Sequence, residues 1–419
     1  MRFWGLGKVR ELRELYLDPY CSVGGGGAVG YKREECMSIL HVCTGLESFI
    51  CGGVFLEMRR FRSGQESRSG EKKGPSLPMA FTSPNSEGYS LRRLHIQSSP
   101  LDVPAFHHLV GLCPFLEELT ISRAQGASFT SKTWTLLSQF CPRLQMVRLE
   151  NDELVTQHMP DLGDILMMFP VLKSLELVDC RFERDPDLVA LGARLRELKA
   201  EQDGKPHPLK RLALTGAMGH STQILADALT NLEAVALQSL TVGKTSSLLP
   251  FQQRQQGWMS VSQILEWDEP FVDLSVRWTC FETLSLLDFT KVDFPPSTLN
   301  KIFPLVAQSC NLHSLGVAWT QLLSLYNQPI NPVTKRAAWA LSIKLPYLQK
   351  IAIGCGYERR KFRTIPLTSD ILGALLKAAP GVRKVGIRTG IEVEVEGVSG
   401  GRVEGWESVF LGVEFVYLT

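Results

Sequence analysis

A few stretches carry residue types that could do chemistry, and each departs in spacing or context from the motif it suggests. Gly243-Lys244-Thr245 has the ending of a phosphate-binding loop, in which backbone N–H groups and the lysine cradle phosphate oxygens. The first glycine of that motif would fall at position 238, which is Gln238. The run Gly24 to Gly27 has no Lys-Ser/Thr after it and reads as a flexible turn. Gly397-Val398-Ser399-Gly400-Gly401 spells the nucleophile-elbow string, which needs a strand before it and a helix after it. A charged, glycine-rich stretch supplies neither. His107-His108 has no cysteine or carboxylate at a ligand spacing, and no Cys-x-x-Cys pair occurs, so a zinc site is not expected. The expectation is a non-enzymatic protein with no catalytic residues, no cofactor and no metal.

Composition agrees with a binding role. The chain has 419 residues, 44% hydrophobic and 21% charged, the profile of a folded domain with a large core. A net charge of +2 argues against a general nucleic-acid binder. No apolar run is long enough to span a bilayer, and MRFWGLGKVRELREL lacks the apolar core of a secretory signal. The ten cysteines are scattered and no Asn-x-Ser/Thr acceptor occurs, which points to a reducing compartment, cytoplasmic or nuclear.

The elements that must position any binding surface follow from an internal repeat. A six-residue pattern h-x-x-h-x-h, with h apolar, recurs thirteen times. The copies are Leu12-Leu15-Leu17, Leu46-Phe49-Cys51, Leu91-Leu94-Ile96, Leu116-Leu119-Ile121, Leu144-Val147-Leu149, Leu172-Leu175-Leu177 and Leu209-Leu212-Leu214. They continue at Leu232-Val235-Leu237, Phe281-Leu284-Leu286, Leu312-Leu315-Val317, Leu348-Ile351-Ile353, Val382-Val385-Ile387 and Val413-Val416-Leu418. A helical pattern precedes each copy. A punctuation such as Cys113-Pro114, Cys141-Pro142, Phe169-Pro170, Leu345-Pro346 or Ala379-Pro380 often separates the two. Proline ends the helix and the last two apolar positions lie on one side of a short strand. Helices are expected near 130–140, with Trp134, Leu137 and Phe140 at helical spacing, at 161–168, and from Ser369, with Ile371, Leu375 and Leu376 inward. One helix and one strand cannot bury both apolar faces alone, so stacked units must share a core.

These features predict one right-handed α/β solenoid over 1–419 with about thirteen units, parallel strands on the concave face and helices on the convex face. Spacings of 25 to 28 residues are close to the bare helix-plus-strand minimum. Longer units carry insertions, expected as a disordered loop at 62–90, an ordered excursion at 250–280 and a hairpin or mobile loop at 393–405.

The stretches Cys113-Pro114-Phe115-Leu116-Glu117-Glu118-Leu119-Thr120-Ile121 and Cys141-Pro142-Arg143-Leu144-Gln145-Met146-Val147-Arg148-Leu149 resemble leucine-rich repeats of the ribonuclease-inhibitor-like type. Leu172 to Cys180 adds the terminal cysteine of the cysteine-containing subtype found in F-box proteins, especially divergent fungal ones. The resemblance implies a protein-recognition scaffold, the substrate-binding arm of a cullin-based (SCF) ubiquitin ligase. It also implies an N-terminal F-box for the adaptor. None is found, and a repeat is under way by Leu12, so either an F-box lies upstream of Met1 or this is a repeat-only relative. The alternative function is a ligase-independent scaffold or inhibitor. The expected partner is a protein on the concave face, with a cullin-ligase adaptor if an F-box exists, no nucleic acid, no membrane, and a monomeric chain.

The position between the last two apolar residues should form a solvent-facing column. From Ala213 through Ala236, Ser285, Gly316 and Ala352 to Gly386 it is all small, which suggests a trough with Trp319, Lys384 and Arg388 at its edge. Opposite charges on successive strands suggest ion pairs: Arg92, Arg93 and His95 beside Glu117 and Glu118, and Lys210 and Arg211 beside Glu233. Arg383, Lys384 and Arg388 lack acidic neighbours on the preceding strand and are the candidates for an acidic partner. Cys43, Cys113, Cys141 and Cys310 precede strands and are expected to pack as small hydrophobes.

Overall fold

The computed structural model describes residues 12–17, 31–32, most of 40–55, 88–97, 103–122, 129–150, 155–156, 159–182, 186–216, 221–244, 283–291, 306–318, 345–354, 367–388, 393–394 and 412–418. The expected excursion at 250–280, most of 62–90 and 395–405 lie outside the described residues. The chain is α/β and divides into two compact units, Met1–Pro160 and Asp161–Thr419.

In the first unit five strands follow one another in the main sheet: β1 (Glu14–Leu17), β2 (Ser48–Gly52), β3 (Arg93–Gln97), β4 (Glu118–Ser122) and β5 (Met146–Glu150). Each pairs in parallel with the next. Its helices are α1 (Val103–Gly111) and α2 (Ser131–Phe140). The second unit carries α3 (Leu162–Met168), α4 (Leu188–Glu201), α5 (Ser221–Asn231) and α6 (Ser369–Ala378). Its strands are β6 (Ser174–Phe182), β7 (Arg211–Gly216), β8 (Ser239–Lys244), β9 (Leu286–Lys291), β10 (Ser314–Ala318), β11 (Lys350–Gly354), β12 (Lys384–Arg388) and β13 (Glu414–Leu418). These also pair in parallel, in chain order.

One unit explains the rest. The α2 helix buries Trp134 and Leu137 and ends when the Cys141 N–H bonds the Leu137 carbonyl at 2.8 Å. Phe140, expected inward, is 41% exposed because it falls off the buried stripe. Cys141-Pro142-Arg143-Leu144 then turns, with the Leu144 N–H on the Cys141 carbonyl at 3.1 Å. Proline takes the second position of such a turn because its fixed φ matches it. The same bond closes at Cys113/Leu116, Phe169/Leu172, Leu345/Leu348 and Ala379/Val382. Leu144, Val147 and Leu149 are then fully buried, each removal from water contributing about 1.5–3 kcal/mol.

Cys43, Cys113 and Cys141 fill the first turn position and are buried. The Cys141 thiol donates to the Cys113 carbonyl at 3.4 Å. Burial pushes the Cys141 thiol up to about 12 and, with the neighbouring Cys141, holds Cys113 higher still. Cys310 departs from the expectation and is exposed. It stands two residues before Leu312 rather than three, and Ser309 occupies the buried slot. Site-resolved alkylation of the native protein at neutral pH should therefore label Cys310 rapidly, while Cys113 and Cys141 react only after unfolding.

Three repeat copies are displaced from their expected frame. Leu232 lies in a 3₁₀ turn (Leu232–Ala234), and Leu237, Leu240 and Val242 supply the strand's apolar set. In β9 the frame starts at Leu284 and Leu287 rather than at Phe281. In β13 Phe415 opposes Val385, so the frame shifts back by one residue and Gly412, at φ 83°, takes the first position in place of the expected Val413. With these frames, the steps from Leu209 to Leu237 and from Leu284 to Leu312 both become 28 residues. That equals the steps Leu116 to Leu144 and Leu144 to Leu172.

Other boundaries also shift. Residues 88–90 close the expected disordered loop, yet Tyr89 is buried and its N–H bonds the Leu112 carbonyl at 2.8 Å. Val393–Glu394 pairs in parallel with Leu367–Thr368, which is not hairpin pairing. In α6 Leu372 is fully buried and Leu375 and Leu376 are half-buried, while the side chain of Ile371, expected inward, lies outside the described residues.

Among the described residues of the second unit, His207 is a buried histidine. It is held between Pro206 and Pro208, and its Nδ1 accepts the Leu209 N–H at 3.2 Å. Burial lowers its pKa, against an opposing pull from the Leu166 and Phe169 carbonyls. The unfolded chain takes up a proton near pH 6.5 while the folded chain resists it. Stability should thus be constant above about pH 6.5 and fall as pH drops below it. A pH series of thermal melts checks this, and His207→Phe should shrink the acid limb to what His95 and His107, also lowered by burial, leave.

Candidate functional site

The candidate site is the open face of the strands, where alternate residues leave the core. On this face a row of opposed residues runs along each unit, and the carbonyl just before each strand accepts N–H groups of the next. The Glu117 carbonyl, for example, accepts from Gln145 and Met146 at 2.8 and 3.0 Å. This repeated pairing fixes which side chains stand side by side.

In the first unit the column reads Tyr16, Ile50, His95, Thr120, Arg148 in register. Four ion pairs link charges there. Arg92 pairs Glu117 at 3.2 Å, as expected. Arg93 opposes Glu118 in register but reaches back across Ser48 to Glu14. Arg13 pairs Glu47, and Arg148 pairs Glu150 at 3.0 Å. Each such exposed pair contributes about 0–1 kcal/mol. His95 Nε2 lies 3.2 Å from Ser122 Oγ. Burial lowers its pKa, Arg148 lowers it further and Glu150 opposes them, which favours a neutral ring. Tyr16, 60% exposed, is the large apolar group of this surface.

In the second unit the expected small column is interrupted. The register runs Glu176, Ala213, Thr241, Asp288, Gly316, Ala352, Gly386, Val416. Ala236 and Ser285 fall outside it, because β8 and β9 start later than the pattern suggested. Both are exposed before their strands. The trough is also not open. A Cβ on Gly316 would meet Asp288 Oδ1 at 2.3 Å, and one on Gly354 would meet Thr290 Cβ at 2.5 Å. Side chains from β9 therefore lie over these glycines, and their smallness serves the neighbouring strand. Trp319 lies outside the described residues, as does the side chain of Arg388 at the end of β12.

Cations differ more between the units than small residues do. Lys384, expected to await an acidic partner, pairs Glu414 on β13 at 2.9 Å. Glu233 sits in the 3₁₀ turn, and Arg211 stands opposite Ser239 instead, so the expected Lys210/Arg211–Glu233 pairing across strands does not follow from the register. Among the described residues no carboxylate lies within ion-pair distance of the exposed Lys210, Arg211, Lys350 and Arg383. Lys350 was not singled out from the sequence, and Leu286 was expected in the core as the last apolar residue of its copy, although a strict 28-residue step places it on this face opposite Ser314.

The stretches that suggested chemistry are placed elsewhere. Gly243 and Lys244 end strand β8 rather than opening a helix, which is the wrong setting for a phosphate loop. His107 Nε2 lies 3.0 Å from Thr133 Oγ1, and His108 is exposed. Ser399 lies outside the described residues. Among the described residues no group of three or more His, Cys, Asp and Glu could hold a metal ion, and no helix is long and apolar enough to cross a membrane. No protein-family model and no curated protein matches the chain.

Proposed function

We propose that this chain is a protein-recognition scaffold built from leucine-rich repeats of the ribonuclease-inhibitor-like type, curved into a horseshoe, whose open strand face binds a protein partner. One observation carries the reading. Within each unit successive strands pair in parallel, several of them 28 residues apart, so side chains at matching positions form rows that a partner can lie across. The resemblance to F-box repeat regions extends this to a substrate-binding arm of a cullin-based ubiquitin ligase in the cytoplasm or nucleus. A ligase-independent scaffold or inhibitor would use the same face without an adaptor.

Affinity purification through a C-terminal tag on the endogenous gene tests both levels. Recovery of a cullin with its adaptor supports the ligase arm. Partners without those subunits support the ligase-independent scaffold. Ser314→Trp, which crowds the middle of the face without entering the core, should deplete the recovered partners. An unchanged partner set with Ser314→Trp removes the open face as the binding surface.

A further inference from the structure

We infer that the open face of the second unit takes an extended acidic protein segment with a central apolar residue, which deepens and rests on the protein-binding reading above. One continuous row across this face reads Arg211, Ser239, Leu286, Ser314, Lys350, Lys384, Glu414. Lys210 and Arg383 flank its two cationic ends, each one residue before its strand. The row is therefore positive, then polar with one half-exposed leucine, then positive again.

The spacing sets the ligand. Strands stand about 4.8 Å apart, so Arg211 on β7 and Lys350 on β11, four steps apart, are separated by roughly 19 Å. An extended chain covers that in about six residues, with its midpoint over Leu286. The complementary segment carries acids about six residues apart and an apolar residue midway. Arg211 and Lys350, with no carboxylate in ion-pair distance among the described residues, lie where the acids would fall, whereas Lys384 already has Glu414. Nucleic acid fits less well. Glu176 and Asp288 on the same face oppose a continuous phosphate backbone, and the row offers no aromatic platform for bases.

The test uses the full chain and a fluorescein-labelled peptide, Asp-Asp-Ser-Gly-Leu-Gly-Ser-Asp-Asp, read by anisotropy. Binding should weaken as salt rises, and should drop about tenfold or more in Arg211→Glu/Lys350→Glu, since charge complementarity across an interface is lost. Replacing the peptide's leucine with serine should weaken binding several-fold. A Lys210→Gln/Arg383→Gln variant, with circular dichroism confirming the fold, should weaken it less than the charge reversal. Four results overturn the inference: no binding, equal binding by the charge-reversed protein, equal binding of a lysine-substituted peptide, or tighter binding of a single-stranded oligonucleotide. If the peptide fails while Ser314→Trp still depletes native partners, the acidic segment is wrong and the protein-binding face stands. If neither responds, both fall.

Discussion

Replacing Gly216 with alanine should destabilise the second unit by about 3 kcal/mol or more, beyond the usual 1–3 kcal/mol of overpacking. The cause is backbone on backbone. A Cβ at Gly216 would lie 1.7 Å from the Cys180 carbonyl oxygen and 2.8 Å from its carbonyl carbon. That approach arises from a bulge in β6. Leu214 opposes Leu177, but Gly216 opposes Cys180, so one extra residue is accommodated between them. Asp179 occupies the bulge at φ 55°, a conformation that aspartate tolerates better than most residues. Its N–H donates to Thr215 Oγ1 at 2.9 Å, and the Thr215 hydroxyl donates to Asp179 Oδ1 at 3.1 Å. The Cys180 carbonyl is backbone, next to the bulge that these bonds hold, so no side-chain rotation relieves the clash. Urea denaturation followed by circular dichroism reads the loss. Gly111→Ala is the control, because nothing lies within 4 Å of its would-be Cβ. A Gly216→Ala midpoint equal to wild type would show that the bulge can relax.

Trp134→Ala should produce the second large effect, about 3–5 kcal/mol in the first unit. Trp134 is fully buried in α2 and packs edge-on against Phe129 with ring centroids 5.9 Å apart. Phe129 in turn meets Phe106 of α1 at 5.7 Å, so the three rings join the two helices. Alanine removes the largest member and leaves a cavity that rigid neighbours fill poorly. Trp134→Phe keeps a ring and should cost less than half as much. Hydrogen exchange across α1 and α2 localises the loss. Equal protection in Trp134→Ala and wild type would mean the cluster is not what holds these helices.

Much of the fold was legible because burial writes itself into residue type at fixed intervals. The Cys-Pro and Phe-Pro punctuation located helix ends, and the structure adds why proline stands there: it occupies the second position of the turn leading into the strand. The candidate site was less legible, because its surface positions are defined only by counting from the core. A three-residue error at β9 replaced Asp288 with Ser285 and made the column look uniformly small. Pairing between charges was legible where strands are adjacent and uninterrupted, as for Arg92 and Glu117. Arg93 shows the limit, since a long side chain chooses among several carboxylates by reach and packing.

The sequence by itself determined the repeating helix, turn and strand, because h-x-x-h-x-h and proline constrain local geometry whatever lies next to them. Only the tertiary structure decided which frame each strand uses. Leu237 ends one apolar set and begins another, and Leu284 belongs to two sets that differ by three residues. Local hydrophobicity cannot separate such frames. The backbone pairing to the neighbouring strand does, since a shift along the strand would trade paired N–H and C=O groups for buried unpaired ones.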